Sequence, residues 1–179
     1  IELYNQAVKA DPNYAQAYAG LAEVYSSMGF YRYQVREEYE NYYNQSYTNM
    51  TKALQINPNL EEVQLALAYS YLQLSREKEA KTTAQKILAK NPNNPEAIYI
   101  LWSASGENPD SPEIRKVLEL SPKFVPAYVG LANALFFKKR AYGQATENFR
   151  KAAEIAPSAQ IHNLFGTALR TQGHYNEAI

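Results

Sequence analysis

Apolar residues in this chain recur at intervals of three, four and seven. That spacing lines them along one face of a helix, whereas a strand would need strict alternation. A short polar phrase interrupts the pattern five times: Asp11-Pro12-Asn13, Asn57-Pro58-Asn59, Asn91-Pro92-Asn93, Ser121-Pro122-Lys123 and Ala156-Pro157-Ser158. Five residues before each proline stands a small or branched apolar residue: Ala7, Ala53, Ile87, Val117 or Ala152. Nine residues after the first four prolines stands a leucine: Leu21, Leu67, Leu101 or Leu131. Ala22, Ala68 and Ala132 follow three of these, and Tyr25, Tyr71 and Leu135 come one helical turn later. Proline cannot continue a helix but suits the turn after it, so each phrase ends one helix and leads into the next. The pattern predicts helices over 1–10, 14–30 or slightly beyond, from near 36 to 57, 60–74, 77–91, 95–105, 112–121, 124–138, 143–156, 159–172 and 175–179.

The intervals between successive prolines are 46, 34, 30 and 35 residues. A block from Leu60 to Asn94 shows the unit without a gap, through Leu67-Ala68, Tyr71, Ala80, Ala84, Ile87 and Pro92. The last block shows it again from Asn163-Leu164-Phe165-Gly166 to Gln172-Gly173-His174-Tyr175-Asn176-Glu177-Ala178-Ile179. These residues resemble the tetratricopeptide repeat, a helix-turn-helix unit, and five copies stand in register over the whole chain. The resemblance implies an all-α fold, a right-handed superhelical solenoid of antiparallel helix pairs whose first helices line a concave face. A two-helix unit cannot bury its apolar faces alone, so stacking is also what the physics requires. The array divides into the second half of a repeat (1–13), an enlarged repeat (14–59), a regular one (60–93), a shortened one (94–123), another (124–158) and a partial last one (159–179). Both ends fall in mid-pattern, which reads as a piece of something longer.

Two repeats depart from the pattern. The 46-residue interval carries 12 extra residues between Gly29 and Ser46, with no proline or glycine inside the stretch. Val35, Tyr39, Tyr42, Ser46, Met50 and Ala53 form a stripe at helical spacing. Both helices are therefore expected to grow by about six residues, roughly 9 Å each, with the turn near Arg36-Glu37-Glu38. The projecting hairpin is rich in tyrosine. These rings either pack on one another or offer a second docking surface made of Tyr31, Tyr33, Tyr39 and Tyr43. The 30-residue interval has lost four residues, and Ser111 with Pro112 and Glu113 reads as the start of its second helix. Trp102 occupies a position where sibling repeats carry Ala or Gly, and the deletion leaves the gap it is expected to fill. Contact with a ligand is the functional alternative for this side chain.

Chemistry enters mainly by exclusion. The 18 basic and 18 acidic side chains cancel, and there is no cysteine, hence no disulfide or thiolate site. No apolar run is long enough to span a membrane. Only His162 and His174 could supply imidazole, and neither has an acidic partner at ligand spacing. No glycine-rich phosphate loop occurs. No metal, cofactor or catalytic residue is expected, so the chain reads as a non-enzyme. Residues 121–179 hold seven bases and three acids, with Lys138-Lys139-Arg140 as the densest run. That run sits at a helix end, where cations suit the dipole. No repeated base-reading pairs occur, so nucleic acid is not an expected partner.

The concave groove remains. The family geometry points the second, fifth, ninth and twelfth residues of each repeat into it. These include Glu62, Leu65, Tyr69 and Leu72, then Glu96 and Tyr99, then Asn133 and Phe136. The groove carries no lysine, unlike members of the family that grip a C-terminal carboxylate, so a heat-shock co-chaperone role is not expected. The leading expectation is an interaction scaffold that binds a peptide or helix of a partner protein. Self-association through the groove or the open repeat ends competes with it. The alternative class is an accessory or recruitment domain of a larger enzyme or regulator, such as a glycosyltransferase, kinase or sensor. The sequence assigns no compartment beyond a cytoplasmic default.

Overall fold

The computed structural model describes residues 1–31, 36–171 and 173; at 27, 29–31, 36–40, 43 and 160 the description is of the backbone alone. The described residues are helical, joined by short turns, and form two compact units, Ile1–Pro92 and Asn93–Ile179.

The first unit holds α1 (Glu2–Ala10), α2 (Ala15–Tyr31), α3 (Arg36–Ile56), α4 (Glu61–Gln73) and α5 (Glu77–Lys90). Between α1 and α2, and again between α3 and α4, the proline phrase works as a built turn. The Asp11 carboxylate accepts the Asn13 N–H at 2.9 Å, and the Asn57 side-chain oxygen accepts that of Asn59 at 3.2 Å. The helices are antiparallel pairs, α2 along α3 and α4 along α5, with α4 also packed on α2. Small residues permit this closeness: Ala22, Ala53, Ala68, Ala80 and Ala84 are fully buried. At Gly20 the approach is so tight that a Cβ would stand 2.5 Å from the Tyr4 ring of α1. Around Ala22 and Ala53 gather Met50, Val63 and Ala66, flanked by Tyr18, Leu54 and Leu67.

The pair α2–α3 is the long one, with 17 and 21 residues against 13 and 14 in α4 and α5. Helix α3 already begins at Arg36, so the turn expected at Arg36-Glu37-Glu38 does not lie there. Residues 32–35 lie outside the described residues. The inward stripe of α3 is visible from Tyr42 onward. Tyr42 stacks on Tyr25 with ring centroids 6.4 Å apart, and Ser46, Met50 and Ala53 are buried. Ser46 donates across the pair to the Ala22 carbonyl at 2.7 Å, a buried bond that fixes the register of the two helices.

The second unit holds α6 (Pro95–Ser103), α7 (Pro112–Leu120), α8 (Val125–Ala134), a π turn (Leu135–Lys139), α9 (Tyr142–Ile155) and α10 (Ala159–Thr171). Asn94 caps α6 by accepting the Ala97 N–H at 2.8 Å. Ser111 takes the N-cap position of α7 without making a cap bond. Its Oγ is buried with no hydrogen-bond partner among the described residues. Helix α6 ends at Ser103, two residues before the expected stop. Trp102 is 3% exposed and donates its indole N–H to the Asn108 carbonyl of the following loop at 2.8 Å. The indole therefore occupies the gap left by the shortened repeat. It also lies against α8: a Cβ at Gly130 would stand 3.0 Å from the Trp102 ring and 3.1 Å from the Tyr99 hydroxyl. Phe149, Ala132 and Ala168 tie α8, α9 and α10 together, with Phe136, Leu164 and Phe165 around them.

Three turns within helix pairs close in the same left-handed way. Ser75 (φ 53°) lets the Arg76 N–H reach the Tyr71 carbonyl at 2.8 Å. Gly106 (φ 93°) does the same for Glu107 and Trp102 at 3.2 Å. Arg140 (φ 54°) carries the third, but here the Ala141 N–H reaches one residue further back, to Leu135, at 3.0 Å. From leucine to left-handed residue there are eight positions in the regular repeat (Leu67 to Ser75) and nine here (Leu131 to Arg140). The extra residue of the 35-residue interval is taken up as a π turn, where the sequence predicts an ordinary helix to 138.

Candidate functional site

In the first unit, Glu62, Leu65, Tyr69 and Leu72 share one face of α4. Glu62 is exposed at the helix N-terminal turn, where its charge meets the positive end of the dipole. Tyr69 and Leu72 are half-buried, while Leu65 keeps only 8% exposure and serves mainly as floor. This row gives an aromatic and aliphatic ledge with one acid at its edge.

In the second unit the expected residues divide. Glu96 is half-buried in the first turn of α6. Tyr99 is turned into the unit, its ring 5.4 Å edge-on from Phe124 and 5.8 Å from Trp102. Burial, with the Glu107 charge adding to it, pushes the Tyr99 phenol up to about 12. It is a neutral group, held in place by its neighbours. Asn133 is half-buried on α8. Phe136 sits at the start of the π turn, edge-on to Phe137 and to Tyr142 at 5.0 Å each, and packs on the Phe149 cluster. Tyr99 and Phe136 are therefore parts of the wall first, with one side left for anything outside. Of the second expected surface, Tyr33 lies outside the described residues, as do the side chains of Tyr31, Tyr39 and Tyr43.

A feature the sequence did not single out lies between α3 and the end of α4. Met50, Leu54, Leu67, Tyr71, Leu74 and Arg76 line a cavity of about 380 Å³, with Ser26, Ser46 and Ser70 below. The Arg76 guanidinium rests 4.7 Å over the Tyr71 ring and holds the Glu79 carboxylate at 2.7 Å. That contact keeps the Glu79 carboxyl below its ordinary range. Leu74, expected inside the helix 60–74, instead stands just past the end of α4 and is 52% exposed.

The basic run is partly spoken for. Lys138 donates to the Gly106 carbonyl at 2.7 Å and meets Glu107 at 3.4 Å, while Lys139 pairs with Asp110. The loop of the shortened repeat is thus clamped by the turn of the next. No helix among the described residues is long and apolar enough to cross a membrane. Among them there is also no group of three side chains placed to hold a metal ion.

The tetratricopeptide repeat family model matches residues 40–101. No curated protein matches the chain. Among solved structures, a thermophilic tetratricopeptide repeat protein of Thermus thermophilus shares 15% identity over 88% of this chain and 86% of its own, with a TM-score of 0.63. PilW, a type IV pilus biogenesis factor, shares 21% over 98% and 78%, with a TM-score of 0.62. YrrB, a tetratricopeptide repeat protein with an unusual peptide-binding site, shares 19% over 98% and 87%, with a TM-score of 0.50. At these identities the likeness is one of fold: helix pairs in repeat.

Proposed function

This chain is a tetratricopeptide repeat protein, and from that premise we propose that it is a non-catalytic scaffold that binds a peptide or helix of a partner protein along its first helices. The repeat division 1–13, 14–59, 60–93, 94–123, 124–158 and 159–179 belongs to the same proposal. The observation that carries it is the ledge on α4. Tyr69 and Leu72 stay partly open to solvent beside the exposed Glu62, although the pair α4–α5 already has a complete core in Val63, Ala68, Ala84 and Ile87. Apolar surface left over after packing is what a partner would cover. Tyrosine there adds large contact area at little cost in rotamer freedom.

The residues proposed to bind are Glu62, Leu65, Tyr69 and Leu72 in the first unit and Glu96, Tyr99, Asn133 and Phe136 in the second. Glu62 and Glu96 favour a ligand with lysine or arginine beside its apolar residues, and such charges act more on association rate than on final affinity. Asn133 offers hydrogen bonds to a peptide backbone. Replacing Tyr69 and Tyr99 together by Ala tests the proposal in a pull-down alongside sedimentation analysis. Loss of partner capture supports it. Loss of self-association instead identifies a second copy as the occupant. Unchanged capture and unchanged oligomeric state remove these faces as the working surface.

A further inference from the structure

We propose that the turn Phe137-Lys138-Lys139-Arg140 is a second docking point, for an acidic segment of a partner protein that carries one apolar or aromatic side chain. It shares no residue with the faces just described, although Phe137 touches Phe136, and four observations at one place lead to it. Phe137 is 72% exposed, held out at the base of the turn by its edge contact with Phe136. The backbone beneath it is a π turn, a rare form that recurs at functional sites. Arg140 sits in the left-handed region at φ 54°, where a side chain is disfavoured; positions 106 and 173 carry glycine there, while Ser75 and Glu107 share the conformation with smaller or acidic side chains. It is exposed and has no acidic partner among the described residues.

Packing accounts for only part of this. The inserted residue carries Lys138 and Lys139 onto the 106–110 loop, and that explains the lysines. It does not explain an aromatic ring in water beside an exposed arginine with no acidic partner among the described residues. Where several local preferences fail together, function is the usual reason.

Charge selects the occupant. The lysines remain about half exposed, with donors left over beyond their bonds to the loop. With Arg140 they make three consecutive cations directly after Phe137, two of them shared with Glu107 and Asp110. The carboxylates of Glu107 and Asp110 stand beside them, which argues against a flat anionic surface such as a membrane. A peptide can set its carboxylates on Arg140 and the open sides of the lysines, turn away from those two acids, and lay an apolar side chain on Phe137.

The test is a fluorescence-anisotropy titration of the whole chain with a labelled peptide of Asp and Glu around a single central Phe. Saturable binding is expected. Phe137→Ser and Arg140→Gln should each weaken it roughly tenfold, the loss of one good contact. Lys151→Gln, which removes an exposed cation of α9, should leave it unchanged. Arg140→Gly separates docking from folding: it should raise the midpoint of thermal unfolding by relieving the left-handed strain while weakening the peptide as much as Arg140→Gln. Absence of saturable binding overturns the proposal. So does an equal loss with Lys151→Gln, which indicates charge without a site, or equal binding of a peptide with Ser for Phe. Vesicles of phosphatidylcholine and phosphatidylserine that bind the chain when the peptide does not would assign the turn to lipid and overturn it as well.

Discussion

Trp102 concentrates much of what single residues do in this molecule. It replaces a small residue at a helix crossing, is buried, and has its one polar group satisfied by the Asn108 carbonyl. Trp102→Ala should destabilise the chain by about 3–5 kcal/mol, read from denaturant unfolding. As the only tryptophan, it should emit blue-shifted in the native state. Emission like that of free tryptophan would contradict the packing. Tyr99, its neighbour, adds a pH dependence. The phenol is raised from an ordinary 10 to about 12 in the folded chain. Above pH 10 the unfolded chain loses the proton first, so the folded state binds more protons and stability falls as pH rises. The contribution is complete below pH 10 and lost through about pH 12, up to about 2–3 kcal/mol. Tyr99→Phe should flatten stability against pH in that window; an unchanged profile would mean the ring is not buried. Ser75 is the third case. It is exposed at φ 53°, so Ser75→Gly should stabilise by about 1 kcal/mol, measured as a rise in the unfolding midpoint.

At the level of elements, the excess in the 46-residue interval went into helix: α2 and α3 outrun α4 and α5 by four and seven residues. The Tyr25–Tyr42 stack and the Ser46–Ala22 bond hold the lower part of this pair together. In a repeat array each unit rests on its neighbours, so removing residues 30–41 should leave the remaining helices folded. Circular dichroism and a thermal melt check this, and loss of cooperative unfolding would refute it. Ser46→Ala should do more harm than that deletion per atom removed, about 1 kcal/mol, because its hydroxyl is buried. One inserted residue in the α8 pair behaved differently. A single extra residue cannot lengthen both helices of a pair, so it was absorbed in the last turn as a π turn, and Phe137 was turned outward.

For the whole molecule, the two compact units set the expectation for folding. Each has its own buried cluster, around Ala22, Met50 and Val63 in the first and around Phe149 and Ala132 in the second. In a repeat array, stability is a sum of units and of interfaces between neighbours. The fragment 1–92 should therefore show helical structure and cooperative unfolding when expressed alone. If it is a coil by circular dichroism, its cluster is too small to stand without a neighbour.

Much of this protein is determined by the sequence alone, because helical repeats are local. The proline phrases, the alanines at crossings and the leucines nine residues on act within one or two helices, and helix type and approximate limits follow from them; the helix expected at 175–179 lies outside the described residues. Even the role of Trp102 could be argued from a four-residue deletion opposite it. What needed the tertiary structure were the places where a neighbour decides the outcome. Whether Tyr99 and Phe136 face a ligand or the wall depends on Phe124, Gly130 and Tyr142, which lie in or at the start of other helices. That Ser111 stands at its cap position without capping, and that the insertion became a π turn, depends on the geometry of the 104–111 and 135–141 turns. Lys138 and Lys139 looked like a helix-end charge run; only the fold brought the 106–110 loop within their reach, because their partners lie about thirty residues away in the chain. Periodicity records which face of a helix is apolar, but not what another segment places against it.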